Sequence, residues 1–310
     1  MKLFVFGVTG DLFRRKVLKA LSEIKNLEII GLTRKNNVEN KKEKLEYLKI
    51  SFENEKVFCE RCSKFFSKSE INYFYISLPP DKIFEAINYI NDIKNEGYKV
   101  RILIEKPFGA NLNEALKLKD FIEKNNLIEY VFLADHYLFK EGFLLNKNKK
   151  PKKVSIVNLE SVGLEGRTFY DSIGALGDMV QSHFFNMLTF LFGESFIERT
   201  KVKELNLGQY KDYTKELGRE SHTETYAKLV LKQENKEAFL ETGKKFEEKI
   251  SFLEIDGERF DLTAGKDPYL LMFEDFFQGK KENFPTIEMA IKNWKKIEEI
   301  KKIKTNLEIY

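Results

Sequence analysis

Through the first half of the chain, short β-branched and aromatic runs alternate with amphipathic stretches. The runs "KLFVFG", "LEIIGLT", "YLKIS", "NYFYISL", "VRILIE" and "EYVFLA" read as strands. Between them, helical periodicity marks segments around 11–25, 54–66, 81–96 and 111–126. Strands separated by helices predict a parallel sheet with right-handed crossovers. After about residue 145 the texture changes. "KNKKPKKV" is a polar break, and "SIVNLESV", "TETYAKLVLKQ" and "EKISFLEIDG" then read as antiparallel strands, with helices near 173–193, 267–279 and 286–303. The expected fold is an α/β Rossmann-type nucleotide-binding domain over 1–145, followed by an α+β domain over 146–310 with a mostly antiparallel sheet.

Composition narrows the class. A chain of 310 residues with 42% hydrophobic residues and 28 Phe can bury a sizeable core, whereas 33% charged residues exclude a membrane body. Lys+Arg 53 against Asp+Glu 49 leaves a net charge of +4, too small and too dispersed to imply a nucleic-acid partner. The basic run Lys147 to Lys153 reads as a solvated linker. The apolar N-terminal run ends at Gly7, short of a signal-peptide core, and no stretch approaches a membrane span, so a cytoplasmic location is expected. Cys59 and Cys62 in "FCERC" lack two further ligands nearby, so they read as thiols and no metal is expected.

The stretch "FVFGVTGDLFRRK" runs a strand into a glycine turn and a helix, yet Thr9 and Leu12 stand where a G-x-G-x-x-G fingerprint needs glycine. Gly7 closes the strand, Gly10 opens the helix and Asp11 follows. Unsatisfied amides and the helix dipole favour a phosphate there, and Thr9 can add a hydroxyl. A tight strand-to-helix turn also needs glycine for steric reasons alone. The second strand ends in Thr33, Arg34 and Lys35, where a site for NAD would carry a carboxylate. Cations at that position suit a 2′-phosphate; a surface loop with two basic residues is the plainer alternative.

Other candidates lie at strand ends. "NYFYISLPP" ends in Leu78 and Pro79, and "RILIEKPFG" carries Glu105, Lys106 and Pro107, with Lys106 placed to donate to a substrate oxygen. An X–Pro bond at Pro107 tolerates cis geometry. Two of the three histidines fall in dense polar strings: "LADHYLFKE" holds Asp135, His136 and Lys140, and "LGDMVQSHFFNML" holds Asp178 and His183. Oxidation of an alcohol needs a base for the hydroxyl proton, and an imidazole oriented by a carboxylate suits that task. A core histidine in a buried helix is the structural alternative for His183.

These strings, in this order, resemble the glucose-6-phosphate dehydrogenase family. "GVTGDLFRRK" is similar to its coenzyme turn, "YFYISLPP" to the strand before the nicotinamide region, "RILIEKPFG" to its catalytic-lysine strand, and "DHYLFKE" to its phosphate-binding signature. "GDMVQSHFFNML", "LGQY", "SHTETYAKLVL" and "ETGKKFEEK" continue the resemblance over nearly the whole chain. It implies a G-x-x-G-D-L turn built on Gly7, Thr9, Gly10, Asp11 and Leu12 in place of the standard fingerprint, with Leu78, Pro79 and Arg34 also on the coenzyme, which is NADP. It implies that His183 is the general base for the C1 hydroxyl and Asp135 its orienting carboxylate. His136, Tyr137 and Lys140 would bind the 6-phosphate, Lys106 would bridge substrate and coenzyme, Glu160 and Asp178 would hold sugar hydroxyls, and Lys244 and Lys249 would complete the sugar-phosphate site.

The chain departs from the family in places. The segment between "DHYLFKEGF" and "KVSIVNLES" is very short, the W-x-G-V-P-F run before "GKK" is absent, and Ser182 replaces an asparagine before the histidine. A homo-oligomer, dimeric through the second-domain sheet, is the expected assembly. Two alternatives remain. One is a dehydrogenase of another sugar or sugar phosphate, of the glucose-fructose oxidoreductase and inositol dehydrogenase type, which has no need of D-H-Y-L-x-K-E. The other is a non-catalytic NADP-binding regulator, which would be expected to lose His183 or Asp135.

Overall fold

A computed structural model describes residues 1–33, 45–49 and 63–310. The chain divides into two compact units. Residues 1–109, 116–134 and 267–285 form the first; 110–115, 135–266 and 286–310 form the second.

The first unit is built on six strands: β1 (Lys2–Phe6), β2 (Glu28–Thr33), β3 (Leu45–Lys49), β4 (Asn72–Ile76), β5 (Val100–Ile104) and β6 (Val131–Leu133). All neighbours pair in parallel, in the order β3-β2-β1-β4-β5-β6. Leu3 to Phe6 and Asn72 to Ile76 are continuously buried, as expected of strands covered on both faces. The order reverses between β1 and β4, and the crevice beyond the carboxyl ends at such a switch point is where doubly wound sheets take ligands. A π-helical turn, Phe13–Val17, leads into α1 (Leu18–Ser22), and α2 (Pro80–Asn95) begins with proline at a position where its missing N–H costs nothing. The next helix is α3 (Leu112–Lys124).

The second unit carries β7 (Lys153–Leu159), β8 (Lys201–Gln209), β9 (Tyr226–Gln233), β10 (Lys236–Gly243), β11 (Ile250–Ile255), β12 (Glu258–Asp261) and β13 (Leu307–Ile309). Their order is β12-β11-β7-β10-β9-β8-β13, antiparallel except for β7 with β10 and β8 with β13. Along β9, Ala227, Leu229 and Leu231 are fully buried while Tyr226, Lys228 and Val230 are half-buried, the alternation of a sheet packed more tightly on one face than the other. A π-helical stretch, Leu176–Phe184, continues directly into α4 (Phe185–Phe192), and nearly every side chain in it is buried.

The boundary expected at 145 falls instead between Ala134 and Asp135. The intervening segment is tied to the second sheet: Tyr137 donates to Asn158 on β7 and Lys140 to the Leu262 carbonyl. A second difference is that α5 (Pro268–Gln278) returns to the first unit. Phe273 meets Tyr75 of β4 edge-on, Phe276 and Phe277 meet Tyr73 edge-on, and the Arg101 guanidinium donates to the carbonyls of Phe276 and Phe277 at 2.8 Å each. Asp267 caps this helix by accepting from the Tyr269 amide. By contrast, α6 (Ile287–Lys301), capped by Thr286, belongs to the second unit.

The strand expected at 47–51 lies at Leu45–Lys49, and β8, β10, β12 and β13 were not anticipated. The expected helix over 54–66 falls largely outside the described residues, as do Cys59, Cys62, Arg34 and Lys35. Among the described residues no helix is long and apolar enough to cross a membrane.

Candidate functional site

At the switch point of the first sheet, the Gly7 backbone turns with φ +88°, and a Cβ there would drive into the Ser77 carbonyl beyond β4. Glycine is therefore required where two strand ends approach each other. The Gly10 amide donates to the Gly7 carbonyl at 2.8 Å, closing the turn, and Thr9 and Gly10 remain partly exposed. Asp11 is exposed and pairs with Arg15 one turn on, Nε to Oδ1 2.6 Å. Leu12 and Leu78 are partly exposed, and Pro79 is exposed at the start of α2. A turn bounded by Gly7 and Gly10 that opens a helix at this edge fits the pyrophosphate of a dinucleotide.

Beyond β5, Glu105 is buried and accepts from the Tyr75 hydroxyl at 2.7 Å, while Lys106 is half-buried and joined to Pro107 by a cis peptide. Burial and the Glu105 charge push the Tyr75 phenol well above its usual range. Glu105 thus serves the core.

The second unit assembles a different chemistry. Asp135 caps the short 3-10 turn His136–Phe139, its Oδ1 accepting from the Tyr137 amide at 3.0 Å. The same oxygen is hydrogen-bonded to His183 Nδ1, with both side chains 1% exposed. Asn186, three residues further along the helix, donates to Asp135 Oδ2 at 2.8 Å. The i, i+3 spacing puts His183 and Asn186 on one helix face. Burial alone would raise the Asp135 pKa, but His183, Asn186 and the Tyr137 amide outweigh it and hold the carboxyl below its ordinary value. The carboxylate is therefore ionised and needs a proton donor on Nδ1, so in the neutral form of the His183 ring the lone pair is on Nε2.

The rings of Tyr137 and His183 stack with centroids 4.1 Å apart, and His136 meets His183 edge-on at 4.9 Å. The Tyr137 hydroxyl donates to Asn158 Oδ1 at 2.8 Å, fixing the ring. Lys140 lies over the other residue of that motif, its Nζ 4.5 Å from the Tyr137 ring centre and 2.5 Å from the Leu262 carbonyl. Ligand atoms of Asp135, His136 and His183 lie within 4.8 Å of one another, but the Asp135–His183 hydrogen bond already occupies one ligand atom on each of those residues.

Glu160 and Lys244 follow β7 and β10, which pair in parallel with Leu159 opposite Gly243, so the two residues leave the sheet side by side. Lys244 Nζ lies 2.5 Å from Glu160 Oε2 and 4.7 Å from the Tyr170 ring centre. Lys244 is 2% exposed, a depth at which an ammonium needs such partners. The charges of Glu160 and Asp178 add to burial in raising the phenols of Tyr137 and Tyr170, which puts all four groups within electrostatic reach of one another. Lys249 is exposed just before β11, one step beyond the Ile250–Leu159 pair and so level with Glu160.

The structure thus brings together Asp135, His136, Tyr137, Lys140 and His183, and joins Glu160, Asp178 and Lys244 around Tyr137 and Tyr170. Sequence reasoning missed Asn158, Tyr170, Asn186 and Asn293. Asn186 carried a signal in its spacing from His183; Asn293, which donates to Asn186 Oδ1 at 2.8 Å from 107 positions away, carried none.

Residues 31–144 match the model of the glucose-6-phosphate dehydrogenase NAD-binding domain, and 143–206 match that of the C-terminal domain of the same enzyme. The chain is 28% identical to glucose-6-phosphate 1-dehydrogenase of Borreliella burgdorferi, over 84% of this chain and 72% of that protein. It is 31% identical to the enzyme of the same name from Buchnera aphidicola, over 60% of this chain and 48% of that one. Among solved structures, glucose-6-phosphate 1-dehydrogenase from Mycobacterium avium shares the fold with a TM-score of 0.80 at 18% identity, over 100% of this chain and 94% of that one.

Proposed function

The chain belongs to the glucose-6-phosphate dehydrogenase family, and from that premise we propose that it oxidises glucose 6-phosphate at C1 to 6-phosphoglucono-lactone with NADP, the entry to the pentose phosphate pathway. The observation that carries this reading is the buried Asp135–His183 pair stacked on Tyr137 of the D-H-Y-L-F-K-E string. Asp135 keeps the proton on Nδ1, so Nε2 takes the proton of the C1 hydroxyl, and the carboxylate stabilises the imidazolium that forms. The coenzyme supplies the hydride acceptor.

Lys140 and His136 bind the 6-phosphate dianion through charge-assisted hydrogen bonds, with Tyr137 beside them and Lys249 as an outer cation. Glu160 and Asp178 accept hydroxyls of the sugar, and Glu160 holds Lys244 in place as a donor. In the first unit, Gly7, Thr9, Gly10, Asp11 and Leu12 form the pyrophosphate turn, with Leu78 and Pro79 beside the nicotinamide region. Arg34 as the 2′-phosphate ligand and Lys106 as a further catalytic cation rest on the sequence resemblance. The less tightly covered face of the second sheet, with Tyr226, Lys228 and Val230 half-buried, supports a homodimer through that face. The composition supports a cytoplasmic enzyme.

The test follows reduced-coenzyme absorbance with glucose 6-phosphate, other hexose phosphates and free sugars, each against NADP and NAD. A rate confined to phosphorylated sugar supports the reading. A comparable rate with unphosphorylated sugar moves the protein to the wider sugar dehydrogenase class.

A further inference from the structure

The Asp135 carboxylate has a second oxygen, and that oxygen is not left to solvent. Asn186 Nδ2 donates to Oδ2 at 2.8 Å, and Asn186 Oδ1 in turn accepts from Asn293 Nδ2 at 2.8 Å. The two asparagines are 5% and 1% exposed, and Asn293 sits on α6, a helix separate from the one carrying His183 and Asn186. Buried amides are costly unless paired, yet Asn293 Oδ1 has no hydrogen-bond partner. A core requiring only volume would be served better by leucine at both positions. The pair therefore buys orientation.

We propose that Asn186 is a positioning residue for the dyad, held in turn by Asn293. Its amide fixes the rotation of the Asp135 carboxylate, so that Oδ1 faces His183 Nδ1 and the lone pair remains on Nε2. The ionised carboxylate only accepts, so the Asn186 NH2 faces it, and Asn293 Nδ2 meets the Asn186 Oδ1 left on the other side. The titratable groups around the carboxylate are His183 on the same helix and His136 and Tyr137 on the 3-10 turn, with Glu160 and Asp178 in electrostatic reach of Tyr137. None of these can replace a neutral donor at Oδ2.

This inference rests on His183 being the base, and the two are tested separately. Asn186→Leu removes the donor; Asn186→Asp keeps the shape and donates only while the introduced carboxyl is protonated. With thermal unfolding as a check on folding, Asn186→Leu should lower kcat roughly 10–100-fold and change KM for glucose 6-phosphate less than about threefold. Asn186→Asp should lose activity progressively as pH rises, on a limb that the parent lacks, because the introduced carboxylate then repels Asp135. NMR of ring-labelled histidine reads the His183 tautomer without turnover, and the Nδ1–H form should be depleted in Asn186→Leu. If either folded variant keeps the parent kcat, pH profile and ring signals, the positioning role is overturned. If the variants alter the ring signals while His183→Asn leaves turnover intact, the base assignment fails instead.

Discussion

Replacing Asp135 by asparagine removes the charge beside His183 and keeps the shape, and the surrounding amides determine how much that costs. Asp135 accepts three hydrogen bonds, from His183 Nδ1 and the Tyr137 amide on Oδ1 and from Asn186 on Oδ2. An amide offers one oxygen and one NH2. With its oxygen toward His183 and Tyr137, its NH2 would confront the NH2 of Asn186. Asn186 can resolve the conflict by flipping, provided Asn293 flips as well and turns its unpartnered Oδ1 toward it. The chain of three amides then runs in reverse, and His183 keeps its Nδ1–H tautomer. What remains lost is charge. Unit charges 4 Å apart at an effective dielectric of 20 attract by about 4 kcal/mol. At about 1.36 kcal/mol per decade, a loss of roughly 10²–10³ in kcat follows. Adding Asn293→Leu blocks the reversal, inverts the tautomer and should bring the loss to about 10⁴ or beyond. Asn293→Leu alone leaves the charge-assisted bond to Asp135 in place and should cost less than about threefold. The assay is kcat at saturating sugar phosphate and coenzyme for the three variants, with folding checked by thermal unfolding. A double variant no worse than the product of the singles would refute the reversal.

The two sheets differed in how openly their residues declared them. β1, β4 and β5 are apolar on both faces and bounded by Gly7, the Pro79–Pro80 pair and Pro107, so periodicity and breakers agreed. β8 was obscure because, along "KVKELNLGQ", only Gly208 and Gln209 are buried, so its pairing with β9 comes from main-chain hydrogen bonds without a strong apolar stripe. The return of α5 to the first unit was hidden for another reason. Its phenylalanines meet Tyr73 and Tyr75 about 200 positions away, and local texture carries no information on such contacts. The same limit governed the site. Asp135, His136, Tyr137 and Lys140 sit in one string whose density of polar groups is itself a signal, and His183 was visible as a polar residue in an apolar helix. Tyr170 and Asn293 carried no local signal, because their roles depend on what a distant element places opposite them.

Lys140→Ala should raise KM for glucose 6-phosphate roughly 10–100-fold, the worth of one charge-assisted hydrogen bond, and leave KM for free glucose nearly unchanged. Equal effects on both sugars would mean that Lys140 serves only its bond to the Leu262 carbonyl. Arg34→Ala should weaken NADP by about 1.5–3 kcal/mol with little change for NAD, and Arg34→Asp should reverse the preference, read as kcat/KM for each coenzyme. The last prediction concerns Glu224, whose carboxylate lies against the α-carbon of Gly174 and accepts from the Leu176 amide at 3.0 Å, at the start of the helix that carries His183. Burial raises its pKa above the ordinary 4.5, and the Leu176 amide only partly offsets this. A carboxyl whose folded pKa is raised contributes stability below the unfolded value, and that contribution is lost as pH rises through the folded value. At neutral pH the ionised group therefore costs stability. Glu224→Gln keeps an oxygen for the Leu176 amide and removes the charge, so it should raise the midpoint of urea unfolding at pH 7.5 and lose that advantage below about pH 4.5. A lower midpoint at pH 7.5 would mean that the charge itself, opposite the helix dipole, is what the amide at Leu176 requires.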